Sequence, residues 1–374
     1  MPFLRNRGMR RLLPLLEGHR KPAGWMEQGG LKILGTVGRG YGLIQAGRAK
    51  AYQQGLLTQW HADCPVISVG NLTAGGTGKT PMVAWLGRFF LDRGIPLAIV
   101  SRGYRQQSRA PITLVSDGKG HILRAPEAAD EAVLLAHELA DAVVLTGPKR
   151  RHLIHYATRH MGCRLILMDD GFQHLQVYRD LDLLLLDAQH PWGNGHILPG
   201  GTLRESCHAL GRAHAVIFTR AEIGADLTMA TAVIHRHAPG MPVAPCHHQP
   251  KYWINATDSS TLPLSAMQHQ KTLAFCGIAH PESFRTTLEH LLLKPVDLKI
   301  FPDHHVYTPS QMEQLETLAR TLRATALVTT QKDSVKIPHN ATTLPLFVLA
   351  IGIHFPYFPP WLEACLDSIA TKAK

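Results

Sequence analysis

Gly75, Gly76, Gly78, Lys79 and Thr80, in the stretch NLTAGGTGKTP at residues 71–81, have the types and spacing that hold a phosphate. Glycines let main-chain N–H groups converge on phosphate oxygens, and the N-terminus of a following helix adds favourable charge. Thr77 sits among them. Lys79 is placed to reach the β- and γ-phosphates of a nucleotide, and the Thr80 hydroxyl to hold its magnesium ion. The pattern G-x-x-x-x-G-K-[ST], counted back from Gly78, asks for glycine at position 73, where this chain has Thr73.

A second cluster, LILMDDGFQH, ends an apolar run in Asp169 and Asp170. Paired carboxylates at a strand end suit magnesium orientation in a phosphate-loop enzyme, although an aspartate there also serves to cap the next turn. Asp130-Glu131 opens a predicted helix, a place where acids are favoured by the helix dipole for structural reasons alone. Asp303-His304-His305 follows the strand-like LKIF. Arg102 of SRGY stands at the carboxyl end of a predicted strand, the edge where ligands of open α/β sheets collect. LPGGTLRE has the composition of a binding loop and ends in Arg204 and Glu205. Asn71, Arg102, Glu131, Gln173, His174, Arg204 and Glu205 are candidate substrate or nucleotide contacts.

These residues need a scaffold, and the chain supplies one by alternation. CPVISVG is a buried strand, the glycine loop follows, and a helix runs from Thr80 through Arg93 with Gly94 as its stop. PLAIVSRG, AVVLTG, RLILMDD, LDLLLLDA and AVIFTR are further strands, with helices near 128–139 and 149–160. PITLVSDGKGHILR reads as a hairpin around Asp117-Gly118 and is a candidate lid. Continuous apolar strands alternating with helices predict an α/β, P-loop NTPase-like fold whose mostly parallel sheet is covered by helices. The expected organisation is a basic membrane-associating lead-in at 1–62 and a P-loop domain at 63–221. An irregular crossover at 222–268 and a smaller α/β domain at 269–374 follow. In that last part Thr308-Pro309-Ser310-Gln311 carries a helix-capping pattern.

The 374 residues suffice for two domains, and 45% hydrophobic with 18% charged residues is the composition of a globular protein. A net charge of +11 points to acidic partners. There is no dense Lys/Arg run or aromatic-basic repeat, so nucleic acid is not an expected partner. Six scattered cysteines without a C-x-x-C pair argue for a reducing compartment and against a disulfide framework. Neither a secretory signal nor an apolar run of about 20 residues is seen, so any membrane contact is peripheral or monotopic. The segment LKILGTVGRGYGLIQAGRAKAYQQG has roughly helical apolar spacing interrupted by Gly35, Gly38, Gly40 and Gly42, each costing about 1 kcal/mol relative to alanine in a helix. An amphipathic surface-binding segment and a helix packed on its own domain are both open readings.

Taken in order, SVGNLTAGGTGKTP, SRGY, AADEAVLLA, DDGFQH, RDLDLLLLDA, LPGGTLRE, AFCGIAHPESF, FPDHHVYT and TTQKDSVK resemble the lipid A 4′-kinase (tetraacyldisaccharide 4′-kinase) family, from about residue 30 onward. The loop with Thr73 is similar to that family's own form. The resemblance implies an ATP- and Mg2+-dependent lipid kinase on the cytoplasmic face of a Gram-negative inner membrane, bound to anionic lipid and needing no protein partner. It would phosphorylate the 4′-hydroxyl of an acylated glucosamine disaccharide 1-phosphate, forming lipid IVA. The family's catalytic dyad carries over to Asp130 as base and His304 as its partner across an interdomain cleft, with Lys79 on the transferred phosphate and Thr80, Asp169 and Asp170 at the metal. The family's usual form around the base is closer to Gly-Asp-Glu-Pro, whereas Ala129 and Ala132 flank the acids here.

Two other classes compete. TTQKD superficially resembles the guanine-reading Asn-Lys-x-Asp of GTPases and metallochaperones, but Lys332 and Asp333 are adjacent and no Asn precedes them. A nucleotide-dependent membrane scaffold would bind ATP without making a phosphorylated lipid.

Overall fold

The computed structural model describes residues 25–222, 224–338 and 340–374. The basic start MPFLRNRGMRRLLPLLEGHRK lies outside the described residues. In chain order the elements begin with α1 (Trp25–Gln53), β1 (Val66–Asn71), α2 (Lys79–Leu91), β2 (Leu97–Ser101), β3 (Thr113–Asp117), α3 (Asp130–Glu138), β4 (Val143–Thr146), α4 (Arg150–His160) and β5 (Leu165–Asp169). They continue with β6 (Leu181–Asp187), β7 (Ala215–Thr219), α5 (Thr228–His237), β8 (Val243–Pro245), β9 (His247–Asn255), β10 (Thr261–Leu262), β11 (Thr272–Cys276) and α6 (Pro281–His290). The last are β12 (Asp297–Ile300), α7 (Pro309–Thr321), β13 (Ala326–Thr330), α8 (Gln331–Ser334), β14 (Leu346–His354) and α9 (Pro360–Ala373).

The chain forms two compact units, and each is assembled from separated stretches. The first comprises 25–79, 164–247 and 355–374. Its strands run β5-β1-β6-β7-β8, all parallel, with Val69 opposite Asp169 and Gly70 opposite Leu184. Every residue of β1, β5, β6 and β7 is buried, as expected of strands covered on both faces. Leu72, Phe172, Leu186, Leu210, Phe218 and Ile234 share one of its apolar clusters.

The second unit comprises 80–163 and 248–354. It holds the order β3-β4-β2, with β3 antiparallel to β4 and β2 parallel to it. The predicted hairpin is present as a turn after β3: Ser116 bridges Ile122, and Asp117 Oδ1 accepts from the Lys119 and His121 amides. A separate six-stranded sheet runs β10-β9-β14-β13-β11-β12. One side of its core gathers Trp253, Phe284, Leu288 and Val328, the other Phe275, Tyr307, Met312 and Leu315. The Thr308–Gln311 capping box forms as predicted.

This partition differs from one drawn by sequence order. Residues 222–268, expected to be an irregular crossover, contain α5, β8, β9 and β10. Residues 80–163 cluster with the later sheet, and α9 clusters with the first unit. Short strands rich in His, Pro and Gln carry little apolar periodicity, so the sheet they join was invisible locally.

The glycine-rich segment is one 29-residue helix, α1. Gly35, Gly38 and Gly42 lie on its buried face, and a Cβ at Gly38 or Gly42 would run into Ile197. The glycines that weaken the helix on its own are what lets the loop at 197–200 approach it.

Candidate active site

In the first unit, β1 delivers the chain into the glycine loop and α2 receives it at Lys79. A side chain at Gly70 would strike Phe172, so the strand fits only with glycine there. Asn71 is buried and closes the loop from inside, its Nδ2 donating to the Thr73 carbonyl (2.6 Å) and to Thr77 Oγ1 (2.9 Å). Gly75 and Gly78 have φ of 129° and 78°, conformations side chains rarely adopt. On one flank Ala74 N donates to Thr202 O and Arg204 N to Leu72 O, which ties LPGGTLRE to the loop. On the other, Thr219 Oγ1 donates to Thr77 O (3.0 Å), and the Arg220 guanidinium donates to Gly76 O while pairing with Asp187 at 2.6 Å.

Asp169 is buried at the end of β5, and Asp170 follows with φ 54°, a left-handed conformation that Asp tolerates. The Asp170 carboxylate accepts from Arg204 Nη1 at 2.8 and 2.9 Å and lies 3.6 Å from Lys79 Nζ. Arg204 also donates to Gln173 Oε1 (3.3 Å), and Gln173 Nε2 donates to Asn71 O (3.0 Å). Five predicted site residues therefore form one chain of contacts: Lys79, Asp170, Arg204, Gln173 and Asn71. Asn71 and Gln173 spend their contacts on the loop itself. The His174 main chain bonds Gly171 O and Arg179. Glu205 is buried in a two-pronged pair with Arg212 (2.8 and 2.9 Å), whose guanidinium lies over the Phe172 ring. That geometry fits an anchor of the loop rather than a substrate contact.

Thr80 lies in the first turn of α2, and its hydroxyl is a hard oxygen donor of the kind Mg2+ takes, as are the Asp169 and Asp170 carboxylates at the end of β5. No cluster of three or more His, Cys, Asp or Glu that could hold a metal occurs among the described residues.

The second unit holds the other group. Asp130 is the first residue of α3, where a carboxylate is favoured by the helix dipole, and Glu131 sits half-buried in the same turn. His304 stands in the turn after β12 with φ 60°. Its Nδ1 lies 3.1 Å from Asp130 Oδ2, and both side chains are more than four-fifths buried. Burial pushes the Asp130 carboxyl up, but the His304 hydrogen bond and the Lys336 ammonium outweigh it, leaving it below the ordinary carboxylate value. Asp303 is likewise held low, against its burial, mainly by Lys332. The two residues expected to face one another across a domain boundary thus belong to one compact unit. His305 is turned away: its Nε2 meets Gln311 Oε1 (3.1 Å) and its ring stacks on Phe301. Arg102 is exposed just beyond β2.

Reading by sequence missed Thr219, Arg220 and Asp187, which brace the loop. Their signal was positional: each stands at the carboxyl end of β6 or β7, the ligand edge of a parallel sheet.

A sequence model described as tetraacyldisaccharide-1-P 4′-kinase matches residues 31–370. The chain is similar to the tetraacyldisaccharide 4′-kinase of Desulfotalea psychrophila, with 40% identity over 323 residues covering 84% of this chain and 91% of that one. It is also similar to that of Geobacter sulfurreducens, with 38% identity over 330 residues covering 88% and 90%. Among solved structures it is similar to LpxK from Aquifex aeolicus in complex with ATP: TM-score 0.72, 26% identity, 91% of this chain and 99% of that one.

Proposed function

We propose that the glycine loop and the Asp130–His304 pair carry out the reaction of the family to which this chain belongs, the tetraacyldisaccharide-1-P 4′-kinases. The chain is an ATP-dependent 4′-kinase of lipid A biosynthesis. A sugar hydroxyl is a poor nucleophile, and phosphoryl transfer depends mainly on alignment and charge neutralisation. Asp130 takes the proton of the 4′-hydroxyl as its oxygen bonds to the γ-phosphorus. The bond from that phosphorus to the β–γ bridging oxygen breaks, and ADP leaves. His304, donating from Nδ1, fixes the carboxylate and stabilises its charge until the hydroxyl proton arrives. Main-chain N–H groups of residues 75–79 and the Lys79 ammonium hold the transferred phosphoryl group. Thr80 and an acid of the Asp169–Asp170 pair would hold Mg2+, which supplies charge neutralisation on the phosphates. Arg204, already on Asp170, is placed to follow charge at that point.

The observation that carries the choice of base is the 3.1 Å Asp130–His304 contact with Asp130 held ionised. Asp130→Asn is expected to lower turnover of acylated disaccharide by 10²–10⁴-fold, the usual size of a general-base loss, with ATP affinity within about threefold. Turnover within about tenfold of the parent would remove Asp130 from that role.

For the lipid, α1 supports contact with a membrane surface. Ile33, Val37, Tyr41 and Ile44 recur at helical spacing on its exposed side, with Ile33 69% and Ile44 71% exposed, and Lys32, Arg39 and Lys50 exposed along one flank. Among the described residues no helix is long and apolar enough to cross a membrane. The helix would lie on the anionic cytoplasmic face of the inner membrane, each nearby Lys or Arg adding about 1 kcal/mol. Replacing Ile33, Val37 and Ile44 together by Ser is expected to weaken sedimentation with anionic vesicles by about tenfold or more, the loss of roughly 1.4 kcal/mol. Unchanged binding would place the membrane contact elsewhere.

A further inference from the structure

Asp130 and His304 are 174 residues apart in the chain. The four-residue helix α8, inside the TTQKDSVK motif, touches the supports of both. Gln331 acts on Glu138, the last residue of the helix that begins with Asp130, holding its carboxyl down against burial, and its Oε1 accepts from the Ile351 amide (3.0 Å). Asp333, fully buried, accepts from Gly277 N (3.0 Å), Thr330 Oγ1 (2.7 Å), Tyr307 Oη (3.2 Å) and Lys336 Nζ (3.0 Å). Gly277 in turn accepts from the His304 amide (3.3 Å). Lys332 reaches the ring itself: its Nζ donates to Asp303 Oδ1 (3.0 Å) and lies 3.5 Å from His304 Nε2.

A lysine ammonium has three donors and no acceptor. The ring nitrogen that faces it therefore presents a lone pair, and a neutral imidazole then carries its proton on the other nitrogen. We propose that Lys332 is a positioning residue that sets the tautomer of His304, keeping the ring proton on Nδ1, where it is donated to Asp130. Asp303 holds Lys332 in place and by itself would do the opposite: its Oδ2 lies 3.6 Å from Nε2 and would draw a proton there. With Lys332 gone, that carboxylate recruits an Nε2–H, and Asp130 then faces either a lone pair or a ring turned from it. Charged groups around the pair among the described residues include Asp303 and Lys332 beside the ring, Glu131 in the same turn as Asp130, and Lys336, which acts on the Asp130 carboxylate.

This inference rests on the dyad proposed above, and the test separates the two. Lys332→Met, Lys332→Arg and Asp130→Asn are assayed with ATP and acylated disaccharide in detergent across pH. Lys332→Met is expected to lower kcat by about 10–100-fold, the range for partners that orient a functional histidine, with KM for ATP within about twofold. The acid limb of kcat/KM should move to higher pH, because Asp130 loses the hydrogen bond that favours its charged form. Lys332→Arg, which keeps a donor-only cation, should recover most of the rate. An unmoved limb with kcat within about twofold overturns the proposal, as does a rate loss matched by a fall in melting temperature with the limb unmoved. Lys332→Gln replaces Lys332→Met if the latter does not fold. Asp130→Asn retaining turnover overturns the dyad and this proposal with it. Asp130→Asn inactive beside an unaltered Lys332→Met overturns this proposal alone.

Discussion

The glycine loop and the dyad are built in opposite ways. The loop is nearly all local: Asn71 to Thr80 are consecutive, its donors are main-chain amides, and side chains such as Asn71, Thr219 and Arg220 only hold its shape. The dyad is nearly all remote. Its carboxylate is the first residue of a helix, its imidazole sits in a turn with φ 60°, and both are steadied by a third segment, α8. A left-handed non-glycine residue costs about 1–3 kcal/mol, which the surroundings must overcome. At His304 the surroundings are a buried charge network, whereas the loop meets the same demand at Gly75 and Gly78 by using glycine. Damage should therefore spread differently. A loop tolerates losing a brace while its backbone path survives; a dyad resting on buried charges does not.

The largest effect should come from Lys336, whose Nζ and partner Asp333 are completely buried, 3.0 Å apart. Removing one member of a buried pair typically costs 3–5 kcal/mol because the other charge is stranded. Asp333 keeps three further donors, so Lys336→Met is expected near the low end, about 3 kcal/mol, in denaturant unfolding. Below its melting temperature the variant should lose most lipid phosphorylation while holding ATP within about threefold, since the loop's own braces are untouched. Its acid limb should also rise, because Lys336 helps hold Asp130 ionised. Adding Asp333→Asn should restore part of the stability. Equal loss of ATP binding and of turnover would erase the contrast between the two regions.

The same contrast governs what could be read in advance. The loop, the carboxylates after β5 and the Thr308 cap were legible because each is a short-range pattern with a local physical cause. Continuous apolar runs gave away the buried parallel strands. What escaped depended on long-range packing. The glycines of 31–50 weaken a helix on their own, and only the fold shows that Gly35, Gly38 and Gly42 face the loop at 196–198 that packs against it. Glu205 resembled a binding residue and proved to be the buried partner of Arg212. The His- and Pro-rich stretch after 222 hid strands that acquire regularity only from their sheet neighbours. Asp130 and His304 were named from a family resemblance; nothing in their local spacing places one beside the other.

A smaller lever acts on the dyad helix from its far end. Glu138 closes α3, where an acid opposes the helix dipole, and burial lifts its carboxyl to about 7, with Lys251, Gln331 and Arg88 opposing the rise. Between the unfolded value of 4.5 and the folded value of about 7, the native protein binds more protons than the unfolded chain. Stability from this group is thus complete below 4.5, falls as pH rises through that window, and stays lost above it. Glu138→Gln keeps an amide able to pair with Gln331 and removes the ionisation. The variant should match the parent near pH 4.5 and exceed it by on the order of 1 kcal/mol at pH 8, read from urea unfolding at the two pH values. A gap of equal size at both would mean that packing, not charge, sets the cost of Glu138.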